Sequence, residues 1–184
     1  MTFSGDRPVT TETAPRVVDD ALYRRVCEFY YDEADLLSQR QLSQWFALLA
    51  EDIHYRVGFP EFYEHGARRQ VGIGNPYFDD DHTSLKVRVH LLGNPTTTTA
   101  ENPPSVYNYF VTNIRARGTD KADELRVDSR LLVYRVRASE PVPYILGARR
   151  QDRLRLVDNG FRIARREAAI DQAVIQAPNL SFLL

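Results

Sequence analysis

A single cysteine, Cys27, is all the thiol chemistry this chain of 184 residues offers. One thiol excludes an internal disulfide framework, a cysteine-rich zinc site and an iron–sulfur cluster held by this chain alone. Charge of one sign is also lacking. Twenty-four Lys and Arg against twenty-five Asp and Glu leave a net charge of -1, so no global field draws the protein to nucleic acid or to an anionic membrane. No apolar run is long enough to span a bilayer, and residues 1–20 lack the apolar core of a secretion signal. Residues 1–18 read as a polar, mobile arm and residues 19–184 as one domain in a reducing, cytoplasmic setting.

What is present is a change of pattern along the chain. Leu22, Val26, Phe29, Tyr30, Glu33 and Leu37 recur at helical spacing, with Asp19 or Asp20 as N-cap. Leu42, Trp45, Phe46 and Leu49 form a second apolar stripe, so two helices join as a hairpin that leads into a strand over residues 51–57. Residues 58–81 are punctuated by Gly and Pro and read as loop. The acidic run at 79–81 favours a short helix over the segment that follows. From residue 105 the pattern alternates in long runs rich in Val, Ile, Tyr and Phe, at 105–116, 124–137, 143–157 and 161–171, with a hairpin signal at 158–160. Helices first and an antiparallel meander after them indicate an α+β fold, with the helices packed on one face of a curved sheet.

Several constellations bear on chemistry. His82 and His90 beside Asp79, Asp80 and Asp81 have the composition of a two-histidine, one-carboxylate iron site. Eight residues span about 12 Å of helix and about twice that of strand, too far for ligands of one ion. No metal is therefore assigned to them, nor to His54 or His65. There is no phosphate loop and no nucleophile elbow. Fourteen of the Lys and Arg fall in the strand-rich half, interrupted by Asp128, Asp152, Glu167 and Asp171. That mixture argues against RNA binding and for subunit contact, where planar guanidinium pairing is favoured. Trp45, Arg149, Arg150, Arg165, Arg166 and the apolar end at Leu184 are the candidate contact residues.

An acid–base reading remains. In the strand at 51–57, Asp52 and His54 share one face while Ile53, Tyr55 and Val57 share the other. A carboxylate beside an imidazole orients a general base in many enzymes. With Tyr30 or Tyr55 in the pocket between sheet and helices, Asp52 and His54 would serve an isomerase or dehydratase. The stronger apolar set is Ile53, Tyr55 and Val57, which turns Asp52 and His54 outward.

The order of these pieces resembles the small (β) subunit of bacterial aromatic-ring-hydroxylating dioxygenases. The likeness is carried by FYYDEADLL, QWFALLAEDIHY, DDDHTSLKVRV, ENPPS, FVTNIR, the run GARRQDRLRLVDNGFRIARREAAIDQAVI and the terminal NLSFLL. The resemblance implies an NTF2-like (cystatin-like) cone and a non-catalytic structural role. It also implies a large subunit that carries a Rieske cluster and a mononuclear iron, and copies of this chain arranged as a trimer within a hexamer. No cofactor and no catalytic residue are then expected in this chain.

Overall fold

The computed structural model describes residues 17–60, 73–94, 101, 104–138, 140, 142–158, 160–172 and 181–184. The expected N-terminal arm, apart from Val17 and Val18, lies outside the described residues, as do His65 and Asn159 of the hairpin signal.

Helix α1, Asp20–Ser38, begins where the capping residue puts it: the Asp19 carboxylate accepts from Leu22 N at 2.8 Å. Its stripe of Leu22, Val26, Tyr30, Ala34 and Leu37 is buried, and Glu33 is buried with them. Arg40, in left-handed backbone at φ 55°, ends the helix, and Gln41 N reaches back to Leu36 O at 2.8 Å. Helix α2 is only Leu42–Phe46, and Leu49 opens a strand instead of continuing the helical stripe. Trp45 and Leu49 are buried all the same, so the spacing reported burial correctly and element type wrongly at that point.

Strand β1, Leu49–Pro60, pairs antiparallel with β2, Ile73–Asp80, with Tyr55 opposite Asp80 and Val57 opposite Phe78. The sequence reads this second segment as loop because Gly74 and Pro76 interrupt it. Strand β2 lies at the sheet edge, where a proline removes no ladder bond that the fold requires. Helix α3, His82–Gly93, follows from the acidic cap: Asp81 accepts from Ser84 N at 2.8 Å, and Leu85 and Val89 face inward.

The remaining strands are β3, Val106–Gly118, β4, Glu124–Val136, β5, Tyr144–Val157, and β6, Gly160–Ile170. They form one six-stranded sheet in the order β2-β1-β6-β5-β4-β3, antiparallel except where β1 runs alongside β6. This is the α+β cone that the family resemblance implies. Helix α1 lies along β3, where Tyr23 Oη donates to Ile114 O at 3.0 Å and Tyr109 N donates to Ser38 Oγ at 3.1 Å.

Side-chain alternation then decides what each face carries. The face toward α1 presents Ile53, Tyr55, Val57, Tyr107, Tyr109, Leu125, Val127, Leu131, Val133, Leu146, Leu154, Ile163 and Ile170, all buried. Arg150, Asp152 and Arg166 share that face. The outer face carries most of the other arginines together with exposed Val106, Phe110, Leu132 and Ile145. Among the described residues no helix is long and apolar enough to cross a membrane.

Candidate functional site

In a cone of this kind the space between sheet and helices is where a small molecule would sit. Here a closed charge network fills it. Asp152 and Arg166 stand opposite each other on β5 and β6. Arg150 lies one inward position along β5 from Asp152, and α1 brings Tyr30 and Glu33 over them from three residues apart, on one helical face. Arg166 is fully buried and uses all five of its N–H donors. Its Nε and Nη2 donate to Asp152 at 2.9 and 2.7 Å, its Nη1 and Nη2 donate to Glu33 at 2.5 and 3.1 Å, and Nη1 also donates to Leu184 O at 3.1 Å. Arg150 Nη1 donates to Glu33 Oε2 at 3.1 Å, Trp45 Nε1 to Glu33 Oε1 at 3.0 Å, and Tyr30 Oη to Asp152 Oδ2 at 2.8 Å.

Two buried carboxylates therefore face two buried guanidiniums. Burial by itself would raise the Glu33 carboxyl, but the Arg166 and Arg150 charges and the bonds from Arg166 and Trp45 hold it at about 2. Burial would likewise weaken the charged form of Arg166, and the Asp152 and Glu33 carboxylates overturn that, raising it well above its ordinary value. Burial and then the Asp152 charge push the Tyr30 hydroxyl far up; burial pushes that of Tyr55 up to about 12. Glu33, Arg166, Tyr30 and Tyr55 are therefore not poised to exchange a proton near neutrality.

The end of the chain closes the same space. Phe182, Leu183 and Leu184 are buried. Tyr55 Oη accepts from Leu184 N at 2.8 Å and donates to Leu184 O at 3.1 Å, while Tyr109 Oη donates to Leu183 O at 3.0 Å. A second buried cluster holds the segment where it enters: Glu101 accepts from Ser105 N at 2.9 Å, from Tyr107 Oη at 2.8 Å and from Ser181 Oγ. Burial works against ionisation of Glu101, and these donors more than offset it, lowering its carboxyl below the ordinary range. Arg135 Nε donates to Ser105 Oγ at 2.9 Å from beneath. Glu101, the first residue of ENPPS, and Tyr107 thus clamp the serine of NLSFLL.

Asp52 and His54 stand on the outer face, apart from this interior. Asp52, with its side chain 63% exposed, takes a bidentate pair from Arg155 at 2.8 and 2.9 Å. The Arg155 hydrogen bond lowers the Asp52 carboxyl. His54 Nε2 lies 2.6 Å from Asp79 Oδ1 with its side chain 47% exposed, and Arg56 Nε is 3.3 Å from the other Asp79 oxygen. Tyr30 and Tyr55 are on the opposite side of the sheet. The four residues of the acid–base reading are not brought together.

The candidate contact residues divide as well. Trp45, Arg150, Arg166 and Leu184 are interior, each with the partners given above, and a side chain so enclosed presents nothing to another subunit. Arg149 is half-buried and paired with Asp171 at 3.2 Å; Arg165 is exposed and paired with Glu167 at 2.7 Å. These two stay at the surface. His82 packs on Phe46 with ring centres 4.6 Å apart, Asp80 pairs with Arg88 at 2.7 Å, and His90 is exposed. Among the described residues no three His, Cys, Asp or Glu gather as a metal site.

Sequence reasoning missed Glu33 and Asp152 as partners and Glu101, Tyr109 and Ser181 as the clamp. Glu33 did carry a signal, a carboxylate inside an apolar helical stripe. Asp152 and Arg150 carried another, charges at the inward parity of β5.

A family model described as ring hydroxylating beta subunit matches residues 32–177. The beta subunit of benzene 1,2-dioxygenase from Pseudomonas putida is 36% identical over 190 residues, covering 99% of each chain. The beta subunit of biphenyl 2,3-dioxygenase from Rhodococcus jostii is 33% identical over 190 residues, covering 98% of each. Among solved structures, a chain of naphthalene 1,2-dioxygenase with indole in its active site superposes with a TM-score of 0.79 at 21% identity, over 90% of this chain and 87% of that one. At that identity the superposition speaks to the fold.

Proposed function

Because this chain belongs to the ring hydroxylating beta subunit family, we propose that it is the non-catalytic, structural small subunit of a multicomponent aromatic-ring-hydroxylating dioxygenase. The oxidoreductase chemistry, insertion of both atoms of dioxygen into an aromatic ring, takes place at the iron of a large partner subunit. The observation that carries this reading is the filled cone. Tyr30, Glu33, Asp152 and Arg166 have almost no exposed surface, and Phe182, Leu183 and Leu184 are packed beside them. A substrate would have to displace the end of the chain and break a buried ion network to reach any of them.

The donor set of this chain does not fit a Rieske cluster, which requires two cysteines and two histidines where only Cys27 is present. The cluster and the mononuclear iron belong to the partner. Residues 19–184 act as one structural unit in the cytoplasm, three copies joining three large subunits in a hexamer. What supports assembly is the outer sheet face. Val106, Phe110, Leu132 and Ile145 project together from three neighbouring strands, an exposed apolar patch of the kind that marks protein contact. Arg149 and Arg165 lie on the same face.

The rival reading, a free-standing isomerase or dehydratase, needs Asp52 or His54 inside the cone, and both are in ion pairs on its outside. Purification with and without the large subunit separates the two. The isolated chain should convert no ketone, alcohol or aromatic substrate and should enter a larger particle when the iron-bearing subunit is added. A metal-free solitary chain that isomerises or dehydrates a small molecule, and loses that activity in Tyr30→Phe, would overturn the proposal.

A further inference from the structure

Strand β3 carries a bulge in which Asn113, at φ 54°, shifts the register against β4 between Thr112 and Arg115. A cavity of about 350 Å3 opens there. Six arginines line it, Arg115, Arg117, Arg126, Arg130, Arg149 and Arg150, against a single carboxylate, Asp128. That carboxylate is already shared: Arg117 Nη1 donates to it at 3.0 Å, Gln151 Nε2 at 3.1 Å, and Arg126 Nη2 is 3.6 Å away. Arg149 is paired with Asp171 and Arg150 with Glu33. Among the described residues Arg115 and Arg130 have no ion-pair partner.

Two further observations point to a missing anion. The buried Nε of Arg126, which lines this cavity, has no acceptor. Like charges also stand directly opposite across the sheet, Arg130 against Arg149 and Arg117 against Arg126, an arrangement that destabilises a ladder unless something between them offsets the charge. Water could satisfy that orphaned donor and would leave the repulsion in place.

We propose that this groove is an oxyanion-binding site, and that its ligand presents a carboxylate. A planar carboxylate matches the guanidinium fork and accepts from two donors at once. The group has two possible sources, a free organic acid or an acidic side chain of a neighbouring subunit, and the binding chemistry is common to both. The binding chemistry rests on this chain's own unpaired donors, whichever source supplies the carboxylate.

Isothermal titration of the full chain with citrate at low ionic strength tests it. The expected result is saturable binding of one citrate per chain that weakens as salt is added. Arg115→Gln with Arg130→Gln should weaken binding at least tenfold, while Arg24→Gln with Lys86→Gln, which removes the same charge from exposed helical positions, should change it less than twofold. Both arginines in the groove variant are exposed and have no ion-pair partner among the described residues, so its circular dichroism should match the parent and its Tm should be no lower. Absence of saturable binding, or equal weakening in the two double variants, overturns the proposal. Repeating the titration on the assembled oligomer identifies the source. Undiminished citrate binding there means a free acid, and binding that returns only on dissociation means a partner's carboxylate.

Discussion

Tyr55 and Leu184, 129 residues apart, exchange two hydrogen bonds: the tyrosine hydroxyl accepts from Leu184 N at 2.8 Å and donates to Leu184 O at 3.1 Å. A side chain from the first strand thereby satisfies both backbone groups of a residue buried at the far end of the chain. The same carbonyl receives Arg166 Nη1, so the tail and the ion network are one object. Closure of the cone is thus a matter of polar satisfaction as well as apolar packing, and it can be taken apart one bond at a time.

Tyr55→Phe keeps the ring and its packing against Trp45 but removes the hydroxyl, leaving Leu184 N buried without an acceptor. The expected loss is about 1–3 kcal/mol. For a domain of this length that corresponds to a fall in Tm of roughly 3–10 °C. Scanning calorimetry of the two proteins checks it; equal melting temperatures would mean that the tail contributes no stability through this bond.

Glu33→Gln leaves the Arg166 and Arg150 charges in the interior with one carboxylate fewer. Loss of one partner of a buried pair costs about 3–5 kcal/mol, read at pH 7 from the urea midpoint. The pH dependence has a defined sign. Glu33 is held at about 2 in the folded protein against an ordinary 4.5, so its contribution is present above about pH 4.5 and disappears as the pH falls toward 2. That window accounts for roughly 3 kcal/mol in the parent, and in the Gln variant the slope between pH 5 and pH 2.5 should flatten. An unchanged slope would reject the pairing.

Ser181→Ala removes the hydroxyl that Glu101 accepts from and leaves the carboxylate its Ser105 and Tyr107 donors. Local rather than global weakening is expected. Hydrogen exchange at the Leu183 and Leu184 amides should accelerate about tenfold, while amides in the centre of β5 stay protected. If both sets exchange as in the parent, the clamp does not hold the tail.

Asp52→Asn and His54→Ala both alter exposed ion pairs, each worth at most about 1 kcal/mol. Neither should change the turnover of the assembled dioxygenase by more than about twofold, a difference of roughly 0.4 kcal/mol in the barrier. A hundredfold loss in either variant, with assembly intact, would restore the acid–base reading.

Arg149→Glu with Arg165→Glu reverses two charges on the outer face, the first of them two residues along β5 from the position opposite Leu132, without entering the interior network. Light scattering should register a smaller particle or a weaker assembly than the parent. An unchanged oligomer mass would move the contact surface elsewhere. Arg150 is unsuitable for this experiment because it pairs with Glu33 in the core.

Much of the architecture could be read from short-range pattern. The stripe from Leu22 to Leu37 and the cap at Asp19 locate α1, and strict alternation locates β3 to β6, because periods of 3.6 and 2 are properties of a few successive residues. The phase of Ile53, Tyr55 and Val57 already turned Asp52 and His54 outward. Strand β2 escaped because Gly74 and Pro76 look like turn residues wherever they occur; only its place at the sheet edge makes them acceptable. Helix α2 was overextended because Leu49 satisfies a helical and a strand phase equally well.

Local chemistry along the chain was sufficient to establish that it folds as helices on a sheet, that it cannot ligate an iron–sulfur cluster, and which residues bear charge. Which of those charges became interior was decided only when the cone closed. Arg165 and Arg166 are neighbours of identical type, yet one lies in solvent beside Glu167 and the other is enclosed by Glu33, 133 residues away, and by Asp152. Strand parity separates the two, but what makes burial of a guanidinium tolerable is the arrival of two carboxylates and a carbonyl from distant segments. That coincidence is a property of the assembled interior, where an unpaired charge is prohibitively unfavourable and a fully bonded one is not.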